Sequence, residues 1–273
     1  MKKKLIFAFI VSLSFSCEKE TQWAIQDNGN HYIVVNGIIT DEYKYQSIQL
    51  SYPVNSLNTS PRPVTGAAVI ISDEDSSYIL TERIANSGVY FSDRKFAGRP
   101  EKNHSLIINV YNKVYSAKAY MVMCKPFTEF RYSKNDEDNL YHVDWVASVF
   151  NSDKPAMWEL LIDWSHVTGY ENTDTSKCKA RMLFYTLPTL DVSEIFAPEM
   201  EIISFPAGAT VTEKKYSLTP EHAEFIREIL SITNWRGGLF DTAPANITTN
   251  MSSGAVGYFG ACAVLSITTT ISP

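Results

Sequence analysis

The stretch Val64-Thr65-Gly66-Ala67-Ala68-Val69-Ile70-Ile71 decides the fold, because it ends in a continuous apolar run typical of a buried β-strand. The acidic residues 73–75 follow it and predict a turn. Segments on both sides, at 48–52 and 114–121, alternate between apolar and polar residues, which is the pattern of a half-buried strand. About seven such segments, separated by turn residues, lie between His31 and Val122 and predict an antiparallel β-sandwich.

The remaining residues, 123–273, predict a second β-rich domain. Two long aromatic segments, Leu140–Phe150 and Met157–Val167, flank the turn residues 153–155 and are expected to form a hairpin. Further strands are expected at Arg181–Thr186, Glu201–Phe205, Thr210–Leu218 and Gly257–Ile271. The expected fold class is therefore mainly β, with a sandwich at 31–122 followed by a β-rich domain at 123–273.

One amphipathic helix is predicted in the second domain, at about residues 220–233. Thr219 is a good N-cap, Pro220 suits the first helical position, and Glu221 favours the positive end of the helix dipole. Four apolar side chains then share one face of the helix: Phe225, Ile226, Ile229 and Leu230. We expect that face to pack on a β-sheet.

The N-terminus has the pattern of an export signal. Three lysines follow Met1, an apolar run of eleven residues follows at Leu5–Phe15, and Ser16 precedes Cys17. A cysteine at the expected cleavage point resembles a bacterial lipoprotein signal, so residues 1–16 are expected to be removed and Cys17 to carry lipid. A retained transmembrane anchor would need about 20 apolar residues. An ordinary secretory signal, cut at another site, stays open as an alternative.

Residues 17–30 are expected to form a flexible, polar tether. Glu18 and Glu20 stand directly behind the cysteine, and acidic residues there resemble the signal that carries lipoproteins of the Bacteroidota to the outer face of the outer membrane. The expected location is the outer membrane, through a lipid anchor such as palmitate. We expect the protein to be exposed on the cell surface, and a periplasm-facing orientation stays open as the alternative.

The charge balance argues against a nucleic-acid partner. The chain has a net charge of −6, and removal of residues 1–16 leaves 21 basic and 30 acidic side chains, a net charge of −9. Nucleic-acid phosphates favour basic patches instead. Aromatic residues make up 12% of the chain, including 15 tyrosines, and either β-structure or stacking platforms for sugars and other ligands would explain them.

No motif in the sequence specifies catalysis, so we expect no enzyme, no cofactor and no metal. The H-E-x-x-H, G-x-S-x-G, P-loop and Rossmann patterns are missing from the sequence. A metal site could be imagined from His142-x-Asp144 with Asp163-x-x-His166, and a carboxylate pair from Asp144 with Asp163. The acidic runs 73–75 and 136–138 lack the spacing of a calcium loop and are interpreted as solvated turns.

The cysteines and one threonine are candidates for covalent modification. Besides Cys17 the chain has Cys124, Cys178 and Cys262, an odd number that leaves any disulfide pairing open. Cys262 lies in an apolar run and is expected to be buried. Asp241-Thr242-Ala243 resembles the O-glycosylation sites of exported Bacteroidota proteins, which makes Thr242 a candidate modification site.

Two sets of motifs resemble known families. Val64-Thr65-Gly66-Ala67-Ala68-Val69 and Gly88-Val89-Tyr90 are similar to strands of small Ig-like or transthyretin-like modules of bacterial surface proteins. The C-terminal stretch resembles the end of a Bacteroidota outer-membrane lipoprotein family known as domain of unknown function 4249. The residues that carry this resemblance are Trp235–Asp241, Pro244–Ile247, Asn250 and Gly257–Ala261.

The resemblance to that family implies a setting. Its members tend to be encoded near TonB-dependent outer-membrane receptors, so the expected function is ligand capture for, or another accessory role beside, such a receptor barrel. The alternative is a cell-surface adhesion or interaction protein without a transport role, which the Ig-like module favours. Neither the ligand nor a binding residue follows from the resemblance.

Overall fold

The computed structural model describes residues 32–54, 59–127, 130–146, 155–187, 202–233 and 247–272. These residues form fourteen strands and one α-helix, numbered here in chain order. The strands are β1 (Ile33–Thr40), β2 (Ser47–Ser51), β3 (Ala68–Ser72), β4 (Ser77–Glu82), β5 (Val89–Ser92), β6 (Asn103–Val110), β7 (Lys113–Tyr120), β8 (Arg131–Lys134), β9 (Tyr141–Trp145), β10 (Ala156–Asp163), β11 (Lys179–Thr186), β12 (Thr210–Ser217), β13 (Ala255–Cys262) and β14 (Val264–Thr270). The helix, α1, is Pro220–Ile232. The predicted fold class, mainly β with one helix, is confirmed.

Eight strands form the first sheet, in the order β13-β1-β2-β5-β4-β3-β6-β7. Its strands bury every second side chain, as in β6, where Leu106, Ile108 and Val110 enter the core and the residues between them face outward. All neighbouring strands in this sheet run antiparallel except β1 and β13, which run parallel in register from Ile33–Ala255 to Thr40–Cys262. The seven strands predicted between residues 31 and 122 are those from β1 to β7.

The first sheet rolls until its two edge strands meet. Val122, just after β7, forms a bridge with Cys262 at the end of β13. The Asn250 side chain binds both edges: its amide donates to Lys118 O (3.0 Å) and to Phe259 O (2.7 Å), and its Oδ1 accepts from Phe259 N (3.0 Å). Asn250 therefore completes hydrogen bonding that two edge strands would otherwise leave open.

Four strands form the second sheet, in the order β11-β10-β12-β14, and β8 and β9 form a separate two-stranded sheet. The predicted hairpin of Leu140–Phe150 with Met157–Val167 is wrong, because β9 pairs with β8 while β10 pairs with β11 and β12. A tight turn, closed by the bond from Asn139 N to Asn135 O (3.0 Å), joins β8 to β9 and fixes that pairing. A strand is expected at Glu201–Phe205; within its described part, residues 202–205, Phe205 forms only an isolated bridge with Tyr141.

The predicted strand Gly257–Ile271 is two strands that belong to different sheets. β13 lies in the first sheet and β14 in the second, with Ala263 between them. At this crossing Asp41 Oδ1 accepts from Val264 N (2.8 Å), and Ser217 Oγ accepts from Ala263 N (2.9 Å). The division of the chain near residue 122 stays a prediction, and residues 255–262 of the predicted second domain lie in the first sheet.

The helix forms where the sequence predicts it. Thr219 caps its first turn by accepting from His222 N, and Pro220 takes a position where no N–H is needed. Leu230 and Ala223 are buried with Leu218 and Cys262 in a small core between the helix and the sheets. No helix within the described ranges is long and apolar enough to cross a membrane.

Gly257 is the residue of β13 that tolerates replacement least. Its φ is +94°, and a Cβ there would lie 2.1 Å from Val35 O on the neighbouring strand β1. Gly169 has nearly the same φ, +97°, but open space around its Cβ position. The two glycines therefore share a backbone conformation that side chains disfavour and differ in what the added atom meets.

We predict that Gly257→Ala lowers the free energy of unfolding by at least about 3 kcal/mol, since a β-carbon cannot be placed without moving the β1 backbone. Gly169→Ala is expected to lower it by about 1 kcal/mol, the cost of the backbone conformation alone. Urea unfolding of both variants measures the two values. Equal losses would mean that the close approach to β1 contributes nothing.

Candidate functional site

A cavity of about 330 Å³ opens at the end of the first sheet where β1 begins. Its walls combine tyrosine rings, two cationic side chains and one aliphatic residue. The lining residues are Ile33, Tyr52, Arg62, Tyr111, Lys113 and Tyr115. We call it the tyrosine–arginine cavity.

The hairpin between β6 and β7 brings Tyr111 to the cavity. Tyr111 and Asn112 both have positive φ, 52° and 59°, so the turn has the twist that suits a two-residue hairpin. Asparagine adopts this conformation readily, but for a bulky side chain such as tyrosine it is uncommon. The Tyr111 side chain is 64% exposed, so burial does not compensate for this conformation.

A stacked arginine forms the opposite wall. The guanidinium carbon of Arg62 lies 4.2 Å above the centre of the Tyr52 ring, within the range of a cation–π contact. The bond from Tyr52 N to Arg62 O (2.8 Å) holds the two segments side by side. Burial and the hydrogen bond with Tyr111 raise the pKa of Tyr52 to about 12, so this phenol is neutral at physiological pH.

The cavity is a positive region on an acidic protein. Arg62 and Lys113 are both exposed, and neither forms an ion pair with a carboxylate among the residues that the structure describes. Several other described cations are paired, as Arg99 is with Asp73 and Asp75, and Lys102 with Glu74. The arrangement offers two free positive charges beside neutral aromatic faces.

A second cluster of reactive groups lies beneath the helix and is structural. The His222 ring stacks on Tyr258, with centroids 4.6 Å apart, and its Nδ1 is 3.9 Å from Cys262 Sγ. Burial lowers the pKa of His222 to about 4 and raises that of Cys262. Both groups are therefore neutral at physiological pH and do not form the thiolate–imidazolium pair of a cysteine nucleophile. Cys262 is buried, as the sequence predicted.

A third group, Glu213, is a buried carboxyl on the inner face of β12. It is only 4% exposed, it lies in register between Leu160 and Ile267, and its Oε2 has no hydrogen-bond partner among the described residues. Burial raises its pKa to about 7, an effect that Lys215 on the same face only partly opposes. This carboxyl is thus protonated over much of the range in which an ordinary glutamate is ionised.

The imagined metal site does not assemble. His142 Nε2 lies 3.1 Å from Asp144 Oδ1, which also accepts from Ser133 Oγ, so this pair does converge. Asp163 instead binds Ser165 and Lys179, and His166 Nε2 lies 3.0 Å from Gly208 O. Among the described residues no group of three or more metal-binding side chains occurs.

The remaining predicted residues divide between described and undescribed parts of the chain. The acidic turn 73–75 is held by Arg99 and Lys102 rather than arranged as a cation site. Cys124, Cys178 and Cys262 are free thiols. Cys17 and Thr242 lie outside the described residues, as do Trp235–Asp241.

Sequence reasoning missed the tyrosine–arginine cavity. The sequence indicates a turn at Tyr111-Asn112-Lys113 and a loop rich in Pro, Asn and Ser at residues 53–63, but it does not show that the two segments meet. One signal was available, since a tyrosine directly before asparagine in a predicted two-residue hairpin departs from the residues that such turns favour.

Comparison with known proteins shows the family to which the chain belongs. The fold is mainly β, and the described residues form two principal sheets and one α-helix. The family model described as "Domain of unknown function (DUF4249)" matches residues 18–268, so the chain belongs to that family. Among curated proteins, none matches the chain.

A search of solved structures returns the Yersinia pseudotuberculosis adhesin InvE among its matches. The two chains are 15% identical with a TM-score of 0.21, and the match covers 69% of this chain and 55% of the adhesin chain. This chain therefore matches little more than half the length of the adhesin. A superposition of this quality does not establish a shared fold.

The buried carboxyl predicts a pH-dependent stability. Because the pKa of Glu213 is raised on folding, the unfolded chain loses its proton first as the pH rises from about 4.5 to about 7, and folding becomes less favourable. We predict that Glu213→Gln removes this loss and stabilises the protein at about pH 8 by up to about 3 kcal/mol, with little effect at about pH 4.

Glu159, on the outer face of the adjacent strand β10, is a matched control. Burial raises its pKa, but hydrogen bonds from Arg181 and Tyr216 outweigh burial and the net pKa is lowered. Glu159→Gln should therefore destabilise the protein at about pH 8, the opposite sign. Denaturant unfolding of both variants at each pH measures the effects, and a Glu213→Gln variant that is no more stable than wild type at high pH would contradict the prediction.

Proposed function

We propose that this chain is a lipid-anchored outer-membrane protein that captures a small ligand and works beside a TonB-dependent outer-membrane receptor. The observation that carries the proposal is the tyrosine–arginine cavity. It combines a concave shape, aromatic walls and free positive charge, the features by which proteins bind small polar ligands.

The position of the cavity supports the anchored arrangement. Ile33, at the start of β1, lines the cavity, so the N-terminal segment joins the fold at the cavity itself. In the proposed arrangement Cys17 carries the lipid, and the residues from there to Tyr32 can span at most about 50 Å. A tether of this reach lets the mouth of the cavity approach a receptor in the same membrane.

Membership of this family supports the proposal that the partner is a TonB-dependent receptor. Members of the lipoprotein family tend to be encoded beside TonB-dependent receptors, and the match extends over nearly the whole chain after Cys17. The proposed anchor and the proposed partner thus place the protein in the same membrane.

The anchor is tested by Cys17→Ser. We predict that this variant loses metabolic labelling with palmitate and is released from membranes, because Cys17 supplies the sulfur and amine that carry lipid. Cys124→Ser is the control and should be labelled normally. Undiminished labelling of Cys17→Ser would exclude the lipoprotein assignment.

The partner is tested by a mild-detergent pull-down of the tagged, full-length protein from its native host, followed by mass spectrometry. We predict that a TonB-dependent receptor is recovered in near-equal amount. Recovery of the protein alone would contradict the accessory role and favour the alternative, a surface adhesion or interaction protein without a transport role.

A further inference from the structure

We infer that the tyrosine–arginine cavity binds a small ring-bearing carboxylate, meaning an acidic monosaccharide or an aromatic acid. The inference deepens the proposed function, on whose ligand-capture role it rests, by naming the chemical class of the ligand. Three features carry it: unpaired cations, aromatic faces, and the size of the cavity.

The charge specifies an anion. Arg62 and Lys113 are free of carboxylate partners within the described ranges, although the chain as a whole is acidic. The guanidinium carbon of Arg62 lies 4.2 Å from the centre of the Tyr52 ring, and the N–H groups of Arg62 form no ion pair with a carboxylate among the described residues. Those N–H groups match the two oxygens of a carboxylate. A ligand that brings one negative charge would thus pair with Arg62 and be attracted by Lys113.

The tyrosines specify a ring. Tyr111 is 64% exposed in the hairpin turn, Tyr52 contacts Arg62, and Tyr115 is buried at the cavity wall. The exposed Tyr111 ring offers an aromatic face, and such faces bind the flat apolar faces of sugars and aromatic rings. Tyr52 is neutral, so it does not repel an anion.

The volume limits the size of the ligand. A cavity of about 330 Å³ is at the small end of those that hold organic ligands, so one ring with its carboxylate fits and a long chain would extend into solvent. An inorganic anion would satisfy the cations but would leave the tyrosine faces unused. The two sources of a ring-bearing carboxylate, sugar and aromatic acid, share the recognised chemistry and are separated by experiment.

The first test is a titration of the purified full-length protein in detergent, followed by calorimetry and tyrosine fluorescence. The probes are galacturonate with its neutral counterpart galactose, benzoate with its neutral counterpart benzyl alcohol, and inorganic phosphate. We expect at least one acid to bind on the order of tenfold more tightly than its neutral counterpart and than phosphate, with affinity falling as salt rises. The acid that binds identifies the source.

Variants then locate the site. Arg62→Gln removes the charge, and Tyr111→Asn removes the ring while placing at this φ a residue that favours it, so the hairpin is expected to remain folded. Each should weaken binding on the order of tenfold. Arg94→Gln is the control, because Arg94 also lies over a tyrosine ring, Tyr78, but pairs with Asp93 outside the cavity. Circular dichroism checks that all variants fold.

The inference is overturned if neither acid binds, if the neutral counterparts or phosphate bind as tightly, or if Arg62→Gln and Tyr111→Asn bind like Arg94→Gln. These outcomes are separate from the pull-down. Recovery of a receptor without binding of either acid would reject the ligand class and leave the accessory role intact. Binding of an acid without recovery of a receptor would reject the accessory role and leave the ligand class intact.

Discussion

The parallel pairing of β13 with β1 is the contact on which the rest of the structure depends. It joins the last part of the chain to the first strand along eight residue pairs, from Ile33–Ala255 to Thr40–Cys262. Without this pairing, β1 would be an unpaired edge strand and the sheet would not roll onto β7. The chain would also not continue from β13 into β14 of the second sheet. Parallel neighbours need a long crossover, and here the connection contains the strands from β2 to β12 and the helix.

The sequence of β13 follows from its position between two packed layers. Phe259 and Ala261 enter the core of the first sheet, whereas Tyr258 and Gly260 lie under the helix. Gly260 has no side chain because the His222 ring occupies that space, and a Cβ would lie 2.5 Å from His222 Cε1. The motif Gly257–Ala261 is therefore explained residue by residue by packing, and the family resemblance that it carries is a resemblance of architecture.

The alternation of apolar and polar residues predicted which side chains of a strand face the core, but not which strands pair with each other. The strands from β1 to β7 and the capped helix could be located because alternation and capping are local signals. The pairing of β9 with β8 and of β13 with β1 could not, since neither register nor a parallel neighbour is encoded in one strand's pattern. The cavity was missed for the same reason: Ile33, Arg62 and Tyr111 come from separate segments that meet only when the sheet rolls.

The tyrosine–arginine cavity is the place where local preferences and the observed residues disagree. A hairpin of two left-handed residues is best served by asparagine and glycine, yet an exposed tyrosine occupies its first position. Arg62 and Lys113, which have no carboxylate partner within the described residues, lie beside that tyrosine on an acidic chain. Either departure by itself does not indicate a site. Both departures lie on one concave surface, and this coincidence is the basis of the proposed ligand site, because sites give up local stability for groups that meet a ligand.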